Sequence, residues 1–115
     1  MKSFVSAKIH GIRVTDKSVR YNGSVSICPE LMKAAGIQQF EKVQIVNLTN
    51  GNRWETYAIE AAVKAFTLNG GGARLGEIGD ECVIITYDVS EIFQSANVVF
   101  VNECNDIFKT MRYEQ

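Results

Sequence analysis

A small, mainly β barrel is the fold class this sequence predicts, and three observations predict it. Short runs of alternating or β-branched residues recur along the chain, turn signals separate them at fairly regular spacing, and a single stretch reads clearly as helix. With 115 residues and no linker, the chain reads as one domain. Its hydrophobic fraction of 46% is ordinary for a globular protein, though a domain this small buries proportionally less surface than a large one.

The first strand is set by Val5, Ala7 and Ile9 alternating with Ser6, Lys8 and His10, the period of a half-buried strand. Lys8 and His10, two apart, therefore share one face. Ser24-Val25-Ser26-Ile27 alternates again. Cys28 to Gly36 is the helix: Pro29 fits the first turn, Glu30 complements the N-terminal dipole, and Gly36 suits the position after the last turn. Leu31 and Ala35 face the core at helical spacing. Lys42 to Leu48 is a β-branched strand, Asn50-Gly51 a hairpin turn, and Asn52 to Ala62 the returning strand. Strand parity puts Arg53, Glu55 and Tyr57 on one face and Thr56 on the other. Ala65 to Leu68 is a further strand, leading through Asn69 into a Gly70-Gly71-Gly72 loop. Glu77 to Asp80 is a turn before Cys82 to Tyr87, an interior strand. Ser90 to Gln94 reads as one helical turn, Val98 to Val101 as a late strand, and Ile107 to Gln115 as a frayed or edge segment.

Composition narrows the function. Twelve basic against 13 acidic residues leave a net charge of −1, and no basic block interleaves with aromatics, which argues against nucleic acid as a partner. No apolar run approaches the roughly 20 residues of a membrane span. Lys8 and His10 interrupt the start too soon for a secretory signal, so the cytoplasm is the expected location. Cys28, Cys82 and Cys104 are widely spaced and form neither a disulfide framework nor a paired metal-ligand motif. Cys28 and Cys82 read as buried small hydrophobes. With a single His, a His-rich zinc site is excluded, and no metal is expected.

Tyr21-Asn22-Gly23-Ser24 carries the chemistry. A serine hydroxyl held against the preceding carbonyl can attack it and turn the amide into an ester. Elimination across the serine Cα–Cβ bond then cuts the chain and leaves a dehydroalanine, which hydrolyses to a pyruvoyl group and ammonia. Glycine suits the attacked side because it tolerates backbone conformations that other residues resist. A hairpin turn is the plainer reading of the dipeptide alone.

The surroundings decide between the two. Lys8-Ile9-His10, Val14-Thr15, Tyr21-Asn22-Gly23-Ser24, Asn47-Leu48-Thr49-Asn50-Gly51, Arg53, Thr56-Tyr57-Ala58-Ile59 and Leu68-Asn69-Gly70 occur in that order. Together, from about Ser6 to Tyr87, they resemble the aspartate 1-decarboxylases, small bacterial pyruvoyl enzymes that make β-alanine for pantothenate and coenzyme A. The resemblance implies a double-psi β-barrel, a homotetramer with active sites between subunits, and cleavage between Gly23 and Ser24 into residues 1–23 and 24–115. It leaves open whether a maturation partner assists. Ser24 becomes the pyruvoyl group, which forms a Schiff base with L-aspartate and accepts electrons much as pyridoxal phosphate would, so no external cofactor is required.

The same resemblance implies roles for the remaining residues. Arg53, whose planar fork suits a carboxylate, and Lys8, a point charge, bind substrate; His10 completes the Lys-x-His segment. On a strand such cations are more often solvated surface residues. Tyr57 matches the proton donor, although a core tyrosine is the commoner fate of that residue type. Thr56 and Tyr21 assist processing. Thr56 and Tyr57 point to opposite faces, so they serve one site through a bulge or by reaching different subunits' sites. Asn69 and the backbone of Gly70, Gly71 and Gly72 contact substrate or the carbonyl under attack, unless Asn69-Gly70 is only a turn. Gly71 and Gly72 stand where the family has alanines, Trp54 where phenylalanine is usual, Val46 where some relatives place tryptophan and Asn22 where an acidic residue is common. The tail lacks the family's His-x-Pro element. The glycines lack the Gly-Lys-Ser/Thr ending of a phosphate loop. Two other readings remain: a pyruvoyl decarboxylase of another small amino acid, and an uncleaved, non-catalytic barrel that binds a partner.

Overall fold

Nine strands, one short α-helix and one 3-10 helical turn build the chain in a computed structural model that describes residues 1–115. The strands are β1 (Lys2–Arg13), β2 (Asp16–Ser18), β3 (Ser24–Ile27), β4 (Lys42–Asn47), β5 (Arg53–Glu60), β6 (Phe66–Asn69), β7 (Glu81–Ser90), β8 (Ser95–Val101) and β9 (Ile107–Glu114). Helix α1 spans Pro29–Ala35, and the 3-10 turn Gly70–Leu75. The strands pair in the order β2-β6-β3-β5-β4-β7-β1-β8-β9. Three of the pairings, β1 with β8, β2 with β6 and β3 with β5, are parallel between strands distant in the chain, which requires crossed connections of the kind a double-psi barrel has. Backbone hydrogen bonds from Val14 to Asp80 and from Thr15 to Phe66 draw the end of β1 onto the far side of the sheet. The fold is a small β-barrel around one core.

That core is built as the alternation predicts. Ala7 and Ile9 of β1, Val25 and Ile27 of β3, Val43 and Ile45 of β4, Phe66 and Leu68 of β6 and Ile84 of β7 are all buried, and in β1 and β4 the residues between them are more exposed. Helix α1 starts at Pro29, carries Glu30 in its first turn and stops at Gly36, whose φ of 82° lets its N–H reach Met32 and Lys33. It buries Leu31, Met32 and Ala35. Cys28 and Cys82 are buried members of the core, and burial pushes the Cys82 thiol up to about 12, where it stays a neutral packing group. Cys104 is exposed. No helix is long and apolar enough to cross a membrane.

Two local expectations change, one strand was not foreseen, and the last segment takes one of its two expected forms. Gly70–Gly72 opens a 3-10 turn instead of an unstructured loop, because the chain must bend back sharply beneath β3. Ser90 to Gln94 is not helical: β7 runs on through Ser90, whose hydroxyl donates to the Ile92 carbonyl, and a bend follows. Asp16–Ser18, unmarked by any alternation, pairs with β6. Ile107–Glu114 is an edge strand without fraying, antiparallel to β8 from Val101–Ile107 to Ser95–Glu114.

Candidate active site

Ser24 opens β3, and the bond before it crosses from surface to interior: Gly23 is exposed, whereas Ser24 is 3% exposed. In the antiparallel β3–β6 pair Ser24 faces Asn69, so both side chains share a face. Asn69, itself 4% exposed, donates its Nδ2 to Ser24 Oγ at 2.9 Å and to Ser26 Oγ at 2.9 Å. The amide thus spends both its protons on serine oxygens. It fixes the Ser24 oxygen while leaving that hydroxyl's own proton free to leave. Ser26 is the site residue the sequence reading missed; the Ser24-Val25-Ser26 alternation already places it on the face of Ser24.

Gly70 follows and brings its backbone up against Gly23. A Cβ there would stand 2.7 Å from Gly23 Cα, 2.9 Å from Gly23 N and 3.1 Å from the Tyr21 carbonyl oxygen, and Gly70 has a φ of 65°. Both the left-handed backbone and the close approach demand glycine. We expect Gly70→Ala to cost about 1–2 kcal/mol for the backbone and about 1–3 kcal/mol for the overlap. Thermal denaturation of the variant checks this.

The far end of the 3-10 turn is held by the β4–β5 hairpin. The Leu75 carbonyl accepts amide protons from Asn47 at 3.2 Å, Asn50 at 3.0 Å and Asn52 at 3.1 Å. Asn47 is fully buried and also donates to Asp80 Oδ2 at 2.9 Å. That hydrogen bond, with another from the Glu77 backbone N–H, holds the Asp80 carboxyl below its ordinary value of 3.8. A depressed folded value means that Asp80 contributes stability above about pH 4 and loses it as pH falls through the folded value. Asp80→Asn should therefore flatten the fall in Tm below pH 4, and lower the unfolding free energy at pH 7 by on the order of 1 kcal/mol.

On β5 the side chains alternate as predicted: Arg53, Glu55 and Tyr57 are exposed, and Trp54, Thr56 and Ala58 turn inward. The β4–β5 register is continuous from Lys42–Tyr57 to Val46–Arg53, so no bulge reconciles Thr56 with Tyr57. The β3–β5 pair offers another arrangement. Its parallel partners are Val25–Ala58, Ser26–Ile59 and Ile27–Glu60; counted backward, the same register runs toward Tyr57 beside Ser24 and Thr56 beside Gly23. The paired residues themselves end at Val25–Ala58, one step short of Ser24. Arg53 donates to Gln44 Oε1 at 3.3 Å, which also accepts the Tyr87 hydroxyl at 2.8 Å, so the guanidinium is held at the surface of β4 and β5. Tyr57 packs beside Phe40, ring centroids 6.4 Å apart. Tyr21 is exposed, and its carbonyl is the part that meets Gly70.

Lys8 and His10 do share a face, but not this one. They lie on β1, where Lys8 Nζ sits 5.9 Å from the Tyr113 ring centroid and the His10 ring 5.6 Å from that of Phe100. Four inter-strand steps separate β1 from β3, roughly 19 Å along the sheet. Within one chain the neighbours of Lys8 and His10 are Tyr113 and Phe100, and Ser24 is hydrogen-bonded to Asn69.

Two kinds of comparison bear on this arrangement. The family model described as aspartate decarboxylase matches residues 1–108. The chain belongs to the aspartate decarboxylase family. Among curated proteins it is similar to aspartate 1-decarboxylase of Salinibacter ruber, 45% identical with 94% of this chain and 78% of that protein covered. It is 40% identical to that of Campylobacter jejuni strain 81-176, covering 98% and 94%. It is 41% identical to that of Clostridium novyi, covering 98% and 97%. The family match thus reaches past Tyr87, where the sequence resemblance thinned, into β9.

Proposed function

We propose that this chain cleaves itself between Gly23 and Ser24 and then converts L-aspartate to β-alanine and carbon dioxide, the β-alanine supplying pantothenate and coenzyme A. One observation carries the reading: a buried serine hydroxyl, its oxygen fixed by Asn69, follows a glycine against which the Gly70 backbone is seated. In cleavage the Ser24 Oγ–Gly23 carbonyl bond forms and the Gly23–Ser24 amide breaks, with the hydroxyl proton passing to the amide nitrogen. Loss of the Ser24 Cα proton and of Gly23 as a carboxylate then severs the chain, and water replaces the nitrogen of residue 24 as ammonia. Asn69 orients the attacking oxygen. Thr56, beside Gly23 by register, assists at the scissile carbonyl, and Tyr21 shapes its approach.

The residues around Ser24 fit a pyruvoyl group at that position: Ser24 is buried, its oxygen meets the Asn69 amide, and glycine precedes it with Gly70 alongside. When formed, that group supplies a carbonyl that captures the substrate amine and draws electrons from the bond to the departing carboxylate. Arg53 and Lys8 bind the substrate carboxylates, with His10 beside Lys8 and the backbone of Gly70, Gly71 and Gly72 on the substrate's other side. Tyr57 delivers a proton to the carbon that loses carbon dioxide. Because Lys8 and His10 lie four strands from Ser24, they reach the site of a neighbouring copy, in a homotetramer with sites between subunits. The cytoplasm is its place of work.

The test is turnover. Purified protein incubated with L-aspartate should release carbon dioxide and β-alanine in equal amounts, and L-glutamate should react at least about 100-fold more slowly, since one methylene moves its second carboxylate off a fixed cation. Faster turnover of glutamate or another small amino acid would give the site to that substrate.

A further inference from the structure

Trp54 is a departure from ordinary packing beside the cleavage site. It turns inward on β5, two residues before Thr56, and packs against the core. Its indole Nε1 is buried and has no hydrogen-bond partner. Buried donors are nearly always paired, so an orphan one calls for a reason. Over it lies Gly72. A Cβ on Gly72 would come 2.8 Å from Trp54 Nε1, 3.4 Å from Cε2 and 3.5 Å from Cδ1. The backbone of Gly72 is not left-handed, so conformation does not require glycine there; the indole does. Gly71, its neighbour, has open space where a Cβ would stand. Two residues before Gly72, Gly70 is seated on Gly23.

We propose that Trp54 is a positioning residue for the cleavage of Gly23–Ser24: its indole is the floor that sets the height of the Gly70–Leu75 turn against Gly23. Gly72 is a glycine because the indole fills the space of a side chain. A methyl at 72 lifts the turn, because the indole is fixed by the core beneath it, and the lift carries Gly70 away from Gly23, the residue that bears the scissile carbonyl. The orphan N–H is retained because turning or shortening the ring would lower the floor. The proposal rests on the cleavage reading given above.

The test is a double-mutant cycle on the full chain, with the first-order rate of cleavage of freshly purified protein followed by denaturing mass spectrometry. Gly72→Ala should slow cleavage about tenfold or more, the effect of overpacking at a fixed contact. Trp54→Phe shortens the ring and lowers the floor, and should slow cleavage about threefold. Combined, Trp54→Phe and Gly72→Ala should recover most of the loss, while the effect of Gly71→Ala should be the same with or without Trp54→Phe. If Gly72→Ala does not fold, the combined variant decides alone, and it should fold and cleave within about threefold of Trp54→Phe. Additive effects, or a parental cleavage rate in Gly72→Ala, would overturn the role of Trp54. A parent chain that stays intact would overturn this role and the cleavage reading together, and is seen before any variant is compared.

Discussion

Ser24→Ala leaves one uncut chain whose decarboxylation of aspartate falls by a factor on the order of 1,000 or more, to the level of a protein without its electrophile. The fold should survive the change. Ser24 loses a single oxygen, and its cost is an Asn69 amide proton without a partner, about 1 kcal/mol for a group that keeps its second bond to Ser26. A variant of near-parental Tm, uncut and inactive, separates chemistry from stability. Ser24→Thr keeps a hydroxyl but adds a methyl in a buried pocket, so it should cut slowly if at all.

Mixing two inactive variants should restore activity. Lys8→Ala cuts normally but binds substrate poorly, losing about 100-fold in kcat/KM, the loss of a charge-assisted contact of about 3 kcal/mol. Ser24→Ala keeps Lys8 but has no electrophile. If Lys8 serves the neighbouring copy's site, co-expressed chains assort at random and about one quarter of the sites carry both intact groups. Activity should then return to about one quarter of the parent's, far above the average of the two variants alone. No gain over that average would put Lys8 outside the site. Within one chain Lys8 stands against Tyr113, four strands along the sheet from β3.

Much of this was legible in the sequence because it rests on short-range periodicity. The alternations in β1, β3 and β5 and the Pro29-to-Gly36 helix depend on neighbours two to seven residues apart, and those faces formed as read. The opposed parity of Thr56 and Tyr57 was equally visible, but the parallel β3–β5 pairing beside them was not, because it joins distant segments that no local pattern encodes. β2 was missed for the same reason, since Asp16–Ser18 is a strand only by virtue of β6. The Gly70–Gly72 stretch read as a loop because glycine has poor propensity for any helix. What bends it into a 3-10 turn is tertiary: Gly23 above Gly70, the Trp54 indole under Gly72, and three asparagines on the Leu75 carbonyl. The Asn47-Leu48-Thr49-Asn50-Gly51 segment was read as a hairpin, which it is, but its amides also anchor the turn that touches the scissile bond.

The most direct measurement is the mass of catalytically active protein under denaturing conditions. Two pieces are expected, one ending at Gly23 and one beginning at residue 24 with a blocked, ketone-bearing group in place of the serine. They should co-purify without denaturant, since β1 on the shorter piece is paired to both β7 and β8 on the longer. Full activity in a sample containing only uncut chain would contradict the account.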